Sequence, residues 1–309
     1  MDTTVNTLWP FDFKISGHSD SVNSLELISN TVMASGSTDH DIKIWNYTTQ
    51  LPISSINTGH AVLSLLLLPN GLLAAGNDDN HIRIYDMNSG SRLVDEKSHG
   101  GKVNALELLD GSRFVSGSDD HKIFIWSTSA SSPWINFVND IDTSKFVISL
   151  KFIPPVYLAS GFSDSNDIHV YNIATRVLSD TLRGHSGPVR AFELLNNGDL
   201  ASGSDDNFIK IWNLQTATLK NTLVGHSGNV YALKALENGF LSSGSQDMHL
   251  KLWNVTNASV FLDQVFNREI KALELFCKLN LIISILKYFW CNLSPYLSTS
   301  WGIDLSFYF

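Results

Sequence analysis

The sequence predicts an all-β chain made of one unit repeated six or seven times. Three observations carry this. The motif Ser-Gly-Ser-x-Asp recurs with a period near 41 residues, an aromatic residue follows each copy at a fixed distance, and a Gly-His pair precedes most copies. A fixed period of 40 to 45 residues describes one supersecondary unit that cannot bury its apolar face alone and must stack against its neighbours.

The units can be justified in order along the chain. In the first, Gly17-His18 leads into Val22-Asn23-Ser24-Leu25-Glu26-Leu27, whose alternation and Asn/Ser boundaries read as a strand. Ser35-Gly36-Ser37-Thr38-Asp39 and Ile42-Lys43-Ile44-Trp45 complete it. The second has Gly59-His60, then Asp79, with Ala75 and Tyr85 where the other copies have Ser and Trp. The third runs from Ser98-His99 through Val103-Asn104-Ala105-Leu106-Glu107-Leu108 and Ser116-Gly117-Ser118-Asp119-Asp120 to Trp126. The fourth has Thr143 where the spacing from Val147 predicts His, and ends on Tyr171, so the second and fourth units are expected to be the looser ones. The fifth and sixth repeat the full set, from His185 to Trp212 and from His226 to Trp253. The aromatic positions 45, 85, 126, 171, 212 and 253 are separated by 40, 41, 45, 41 and 41 residues. His to Asp is 21 residues in the first, third, fifth and sixth units and 19 in the second.

These landmarks resemble the WD-repeat (Trp-Asp repeat) β-propeller family over about residues 11–275, with six matched copies. The dipeptide departs from the family pattern, reading Trp-Asn at 45–46, 212–213 and 253–254, while Tyr85-Asp86 keeps the Asp. The resemblance implies four strands per blade and a hydrogen-bonded chain in each blade. Those chains would be His18, Ser35, Asp39, Trp45; His99, Ser116, Asp120, Trp126; His185, Ser202, Asp206, Trp212; and His226, Ser243, Asp247, Trp253. The chemistry is coherent, because an indole only donates and a carboxylate only accepts, and a hydroxyl with an imidazole bridges the two. A trio of Ser, His and Asp also invites a hydrolase reading, but here it recurs around a ring, as structural chains would and a single active site would not. The ten histidines are spread over different blades, so no shared metal ion is expected.

The resemblance also implies a seven-bladed ring closed by an N-terminal strand. Phe11, Phe13 and Ile15 alternate with Asp12 and Lys14 and stand where an outer strand precedes Gly-His. Residues 1–10 form a lead. The seventh copy begins with Ile270-Lys271-Ala272-Leu273-Glu274-Leu275, with Phe266 in place of His, and then the pattern stops. Residues 276–309 hold nine aromatics and three charges. Three accounts compete for this segment: strands finishing the seventh blade, with Leu281-Ile282-Ile283-Ser284-Ile285 as the second; an aberrant C-terminus; or a membrane anchor between Leu279 and Leu297, weakened by Lys287, Asn292 and Pro295.

Composition narrows the function. The chain has 309 residues, 43% of them hydrophobic, and a net charge of −9, which suits a folded protein and disfavours general nucleic-acid binding. The start, MDTTVNTLWPFDF, lacks a signal-peptide pattern, and Cys277 and Cys291 are too few for a disulfide framework, so an intracellular protein, cytoplasmic or nuclear, is expected. No phosphate-cradling loop, metal cluster or isolated nucleophile is visible, and neither an enzyme nor a cofactor is expected. The expected role is a non-catalytic scaffold or adaptor, monomeric within a larger complex, presenting one propeller face to a protein or peptide. On that face Asp78, Asp119 and Asp205 precede the phased aspartates, and Arg190 and Tyr231 follow the first apolar residue of an inner strand, as do Asn23, Asn104 and Lys271. They form a candidate rim, the acids steering a basic segment and Arg190 and Tyr231 anchoring it; the competing account is that they are solvated turn residues. Narrower alternatives are the substrate-recognition subunit of a ubiquitin ligase, a propeller enzyme with a channel-mouth site, or a truncated product without function. The Trp-Asp-x-Arg signature of cullin-type receptors is replaced by Trp45-Asn46-Tyr47-Thr48 and Trp212-Asn213-Leu214-Gln215, and the ten-residue lead is shorter than the coiled-coil helix of a G-protein β subunit.

Overall fold

Six antiparallel four-stranded sheets follow one another along the chain, each ordered as it is threaded. The computed structural model describes residues 17–97, 99–132, 134–236, 239–266 and 268–273, and the backbone of 274–276 and 281–285. Blade one holds β1 (Val22–Leu27), β2 (Val32–Ser37), β3 (Asp41–Asn46) and β4 (Leu51–Asn57). Blade two holds β5 (Val62–Leu67), β6 (Leu73–Asn77), β7 (Ile82–Tyr85) and β8 (Arg92–Glu96). Blade three comprises β9 (Val103–Asp110), β10 (Arg113–Ser118), β11 (Lys122–Thr128) and β12 (Ile135–Asp142), and blade four β13 (Val147–Ile153), β14 (Tyr157–Phe162), β15 (Ile168–Asn172) and β16 (Val177–Leu182). In blade five these are β17 (Val189–Leu194), β18 (Leu200–Ser204), β19 (Ile209–Asn213) and β20 (Thr218–Leu223), and in blade six β21 (Val230–Ala235), β22 (Phe240–Ser245), β23 (His249–Asn254) and β24 (Ser259–Val265). A two-stranded sheet follows, β25 (Ala272–Phe276) paired with β26 (Leu281–Ile285). Each inner strand lies against the next, and β25 contacts both β21 and β1. Phe11, Phe13 and Ile15, residues 286–309 and most of the segment considered as a membrane anchor lie outside the described residues; among the described ones no helix is long and apolar enough to cross a membrane.

The core sits between blades. One cluster joins Ile42, Ile44 and Ala34 of blade one to Val62, Leu65 and Tyr85 of blade two, and another joins Ile209 and Ile211 of blade five to Val230, Leu233 and Trp253 of blade six. The Val that opens each inner strand is the wedge: Val62, Val103, Val147, Val189 and Val230 are fully buried, each worth about 1.5–3 kcal/mol. This explains the invariant centre of Ser-Gly-Ser. A Cβ on Gly203 would stand 2.6 Å from Val230 Cγ1, and one on Gly117 2.4 Å from Val147 Cγ1, so only glycine lets the next blade approach.

The turns explain two further sequence features. After each phased Asp the chain passes through a left-handed residue, His40, Asn80, His121, Asn207 or Met248, with φ of 72, 75, 71, 70 and 69°. The Asn that replaces Asp after Trp closes the following turn instead. Asn46 Oδ1 accepts from the N–H groups of Thr48 and Thr49, at 3.0 Å each, and Asn213 and Asn254 do the same for their own turns. Asp86 plays the equivalent part toward Asn88, so either residue serves this turn.

Candidate functional site

The four complete His-Ser-Asp-Trp sets are drawn together, each within one blade. In blade six His226 Nδ1 donates to Asp247 Oδ2 at 2.8 Å, its Nε2 lies 2.6 Å from Ser243 Oγ, and Trp253 Nε1 donates to the same Oγ at 2.7 Å. Blades one, three and five repeat this with His18, Ser35, Asp39, Trp45, with His99, Ser116, Asp120, Trp126, and with His185, Ser202, Asp206, Trp212. Since the carboxylate only accepts, the proton sits on Nδ1, and Nε2 accepts from the serine hydroxyl. Burial holds the imidazoles of His18 and His226 below their ordinary value, outweighing the pull of their aspartates. Burial opposes the charge of Asp206, but the bonds from His185 and the Ser186 N–H prevail and bring it to about 2. The serines are fully buried and the Trp rings nearly so, which leaves no hydroxyl presented to a substrate.

Blade two corrects the sequence expectation. His60 carries the Gly-His landmark of the second unit, yet its side chain is 48% exposed, and the buried slot four residues before the inner-strand Val belongs to Thr58. Thr58 Oγ1 lies 2.9 Å from His40 O and 2.6 Å from His60 O, an arrangement that Thr143 repeats in blade four with His121 O and Lys145 O. Arg83, nearly fully buried, takes over Asp79 with a two-point pair at 2.8 and 2.5 Å. Tyr85 replaces Trp with its hydroxyl buried and unpaired among the described residues, and burial pushes that phenol up to about 12. His60, Asp78 and Asp79 bring three potential ligand atoms within 4.8 Å of one another, but both Asp79 oxygens already accept from Arg83, so the group reads as an ion-pair network.

The inner strands line an open cavity of about 370 Å³ whose walls are Asn23, Leu63, Asn104, Ile148, Arg190, Tyr231 and Lys271. These are the second positions of β1, β5, β9, β13, β17 and β21, together with the residue just before β25. A register shift at this point in most of the inner strands turns the side chain toward the axis, as between Val22 and Ser24 or Val189 and Ala191. Position two bonds to the residue 15 further on. Asn23 Nδ2 donates to Thr38 Oγ1 at 3.0 Å, Asn104 Nδ2 to Asp119 Oδ1 at 2.7 Å, and Arg190 Nε and Nη2 to the two oxygens of Asp205 at 2.5 and 2.7 Å. The same asparagines reach the next blade through Val62 O and Val147 O, at 2.9 and 2.8 Å. Three residues further along their strands than Asn23, Asn104 and Arg190, Glu26, Glu107 and Glu193 each accept a backbone N–H of the following inner strand, from Leu67, Phe152 and Ala235.

Among the sequence candidates, Arg190 and Tyr231 therefore share the mouth, with the guanidinium 5.9 Å from the ring centroid. Asp119 and Asp205 stand behind it, tied to Asn104 and Arg190, whereas Asp78 lies apart, beside His60. The acids expected to steer a basic segment are thus largely engaged within the chain. Leu63 and Ile148 escaped sequence reasoning, although they occupy the same strand position as the residues it selected.

The model of the WD domain, G-beta repeat, matches residues 10–46, 52–86, 91–127, 176–213 and 217–254, more than half of the chain. The chain belongs to the WD-repeat family. Strands β13 to β15 of its fourth blade fall between the matched repeats and are recognised by their fold, with Thr143 and Tyr171 in the landmark positions, while β16 lies within the match at 176–213. Over 127 residues, 39% of the chain, it is 30% identical to E3 ubiquitin-protein ligase COP1 of Arabidopsis thaliana, and equally to that of Pisum sativum. The match spans 18% of the length of each of those relatives. WD-repeat propellers are in general non-catalytic scaffolds that bind other proteins.

Proposed function

We propose that this protein is an interaction scaffold that captures a segment of a partner protein across the channel mouth. The observation that carries the reading is the mouth itself: one side chain from each successive inner position lines a single cavity, held in place by bonds to the neighbouring blade. The half-buried Arg–Tyr pair supports the reading, since Arg and Tyr are enriched at binding hot spots. The reading includes a seven-bladed ring, in which the strand of Phe11, Phe13 and Ile15 joins β25 and β26; the position of β25 against both β21 and β1 supports it. The test is affinity capture with the full chain and with an R190A/Y231A variant whose melt matches the parent. Loss of a defined set of partners in the variant is expected, and an unchanged set overturns the proposal.

A second reading rests on the resemblance to COP1 across 39% of the chain: the scaffold serves as the substrate-recognition part of a ubiquitin ligase. It predicts that ligase subunits copurify with the chain and that the captured partner gains ubiquitin in their presence. Capture without either outcome leaves the scaffold reading and removes this one.

A further inference from the structure

The chemistry of the mouth specifies its occupant more closely. Its seven residues include two cations and no acid. Arg190 is fixed by Asp205 and lies over Tyr231, while Lys271, half-buried at the rim, has no ion-pair partner among the described residues. Cation, aromatic and cation thus stand on three consecutive inner positions and make one arc. Across the cavity Leu63 and Ile148 present aliphatic surface. The amide nitrogens of Asn23 and Asn104 are each spent on two acceptors, which leaves their carbonyl oxygens to accept.

Resting on the mouth reading above, we infer that the site takes an extended acidic and aliphatic peptide segment: a carboxylate seated on Lys271 beside Arg190, an aliphatic side chain against Leu63 and Ile148, and backbone N–H groups on the two asparagine carbonyls. Charge complementarity selects this partner over a basic one. A Lys or Arg side chain entering the cavity would meet the unpaired charge of Lys271 with no acid among the lining residues, since Asp205 is already spent on Arg190, and that juxtaposition rejects wrong partners. The volume of about 370 Å³ falls within the range of ligand cavities, roughly 300–1,000 Å³, and holds a few side chains.

The test uses a panel of fluorescent twelve-residue peptides composed of Asp, Glu, Val, Leu and Ile, and a matched panel with every acid replaced by Lys, titrated into the full-length chain. Members of the acidic panel are expected to bind at least about tenfold more tightly than their reversed counterparts, and Lys271→Glu is expected to abolish that preference while the melt is retained. Equal or tighter binding of the Lys panel, weakened by Tyr231→Ala, would overturn the acidic assignment and leave the mouth as the binding site. No binding of either panel at millimolar peptide overturns the inference; if R190A/Y231A also keeps every captured partner, the scaffold reading falls with it.

Discussion

Replacing Ser243 by Ala removes one oxygen and leaves two buried groups without a partner. The Trp253 indole N–H loses its acceptor at 2.7 Å, and His226 Nε2 loses its donor at 2.6 Å, in a blade where Ser243 and Trp253 are both fully buried. Each orphaned group costs about 1–3 kcal/mol, so the variant is expected to lose about 2–5 kcal/mol. At roughly 2–3 °C per kcal/mol for a chain of this size, the melting temperature should fall by about 5–15 °C. The neighbouring Ser242 is the internal control. It is equally buried but makes a single bond, to Lys234 O at 3.1 Å, so Ser242→Ala should cost only about 1 kcal/mol. Thermal unfolding of both variants by circular dichroism decides the matter. If Ser243→Ala melts within about 2 °C of Ser242→Ala, the chain of bonds is not a cooperative element and the reasoning fails. A cycle with Trp253→Phe checks the coupling, because removing the indole donor should cost less once the hydroxyl has gone.

Tyr85→Phe should leave stability unchanged or raise it by up to about 1 kcal/mol, since the lost hydroxyl is buried and unpaired among the described residues; a clear drop on denaturant titration would reveal a partner for it. Gly203→Ala should destabilise by about 1–3 kcal/mol through overpacking against Val230, and the double variant with Val230→Ala should lose less than the sum of the two single losses. Met248→Asn should stabilise by about 0.5–1 kcal/mol, because Asn tolerates the left-handed backbone there and stands at the equivalent positions 80 and 207. The melting temperature should fall as the pH drops from 7.5 to 5.5. His18 and His226 titrate below their unfolded value near 6.5, so the unfolded chain takes up protons first. A second fall is expected below about pH 4, as Asp39, Asp120, Asp206 and Asp247, all held low in the fold, are forced to protonate; a flat profile between 7.5 and 5.5 would argue against buried neutral imidazoles.

Pairings that repeat with the period could be read from the chain, and those that depend on one blade's own residues could not. The phased Ser, Asp and Trp are legible because each tetrad needs those residue types at fixed offsets. His60 shows the limit of the landmark: its Gly-His pair looks like the others, but its 19-residue distance to Asp79 differs from the 21 found elsewhere, and counting back four from Val62 points to Thr58. The Arg190–Asp205 pair depends on the register shift between Val189 and Ala191, which sequence does not display. Even so, the 15-residue offset shared by Asn23–Thr38, Asn104–Asp119 and Arg190–Asp205 is a signal that could have exposed the pairing. Leu63 and Ile148 look like ordinary strand residues, and only their place on the ring gives them a role.

The clamps between neighbouring inner strands, Asn23 to Val62 O, Asn104 to Val147 O, and Glu26, Glu107 and Glu193 to the next inner strand, fix adjacent strands relative to one another. The side chains at the positions that make no clamp therefore keep a level that does not depend on their own identity. At positions such as 63, 148, 231 and 271, a substitution changes the chemistry of the cavity wall while the bonds between the inner strands stay in place, so on the proposed function new specificities are expected from point mutation alone.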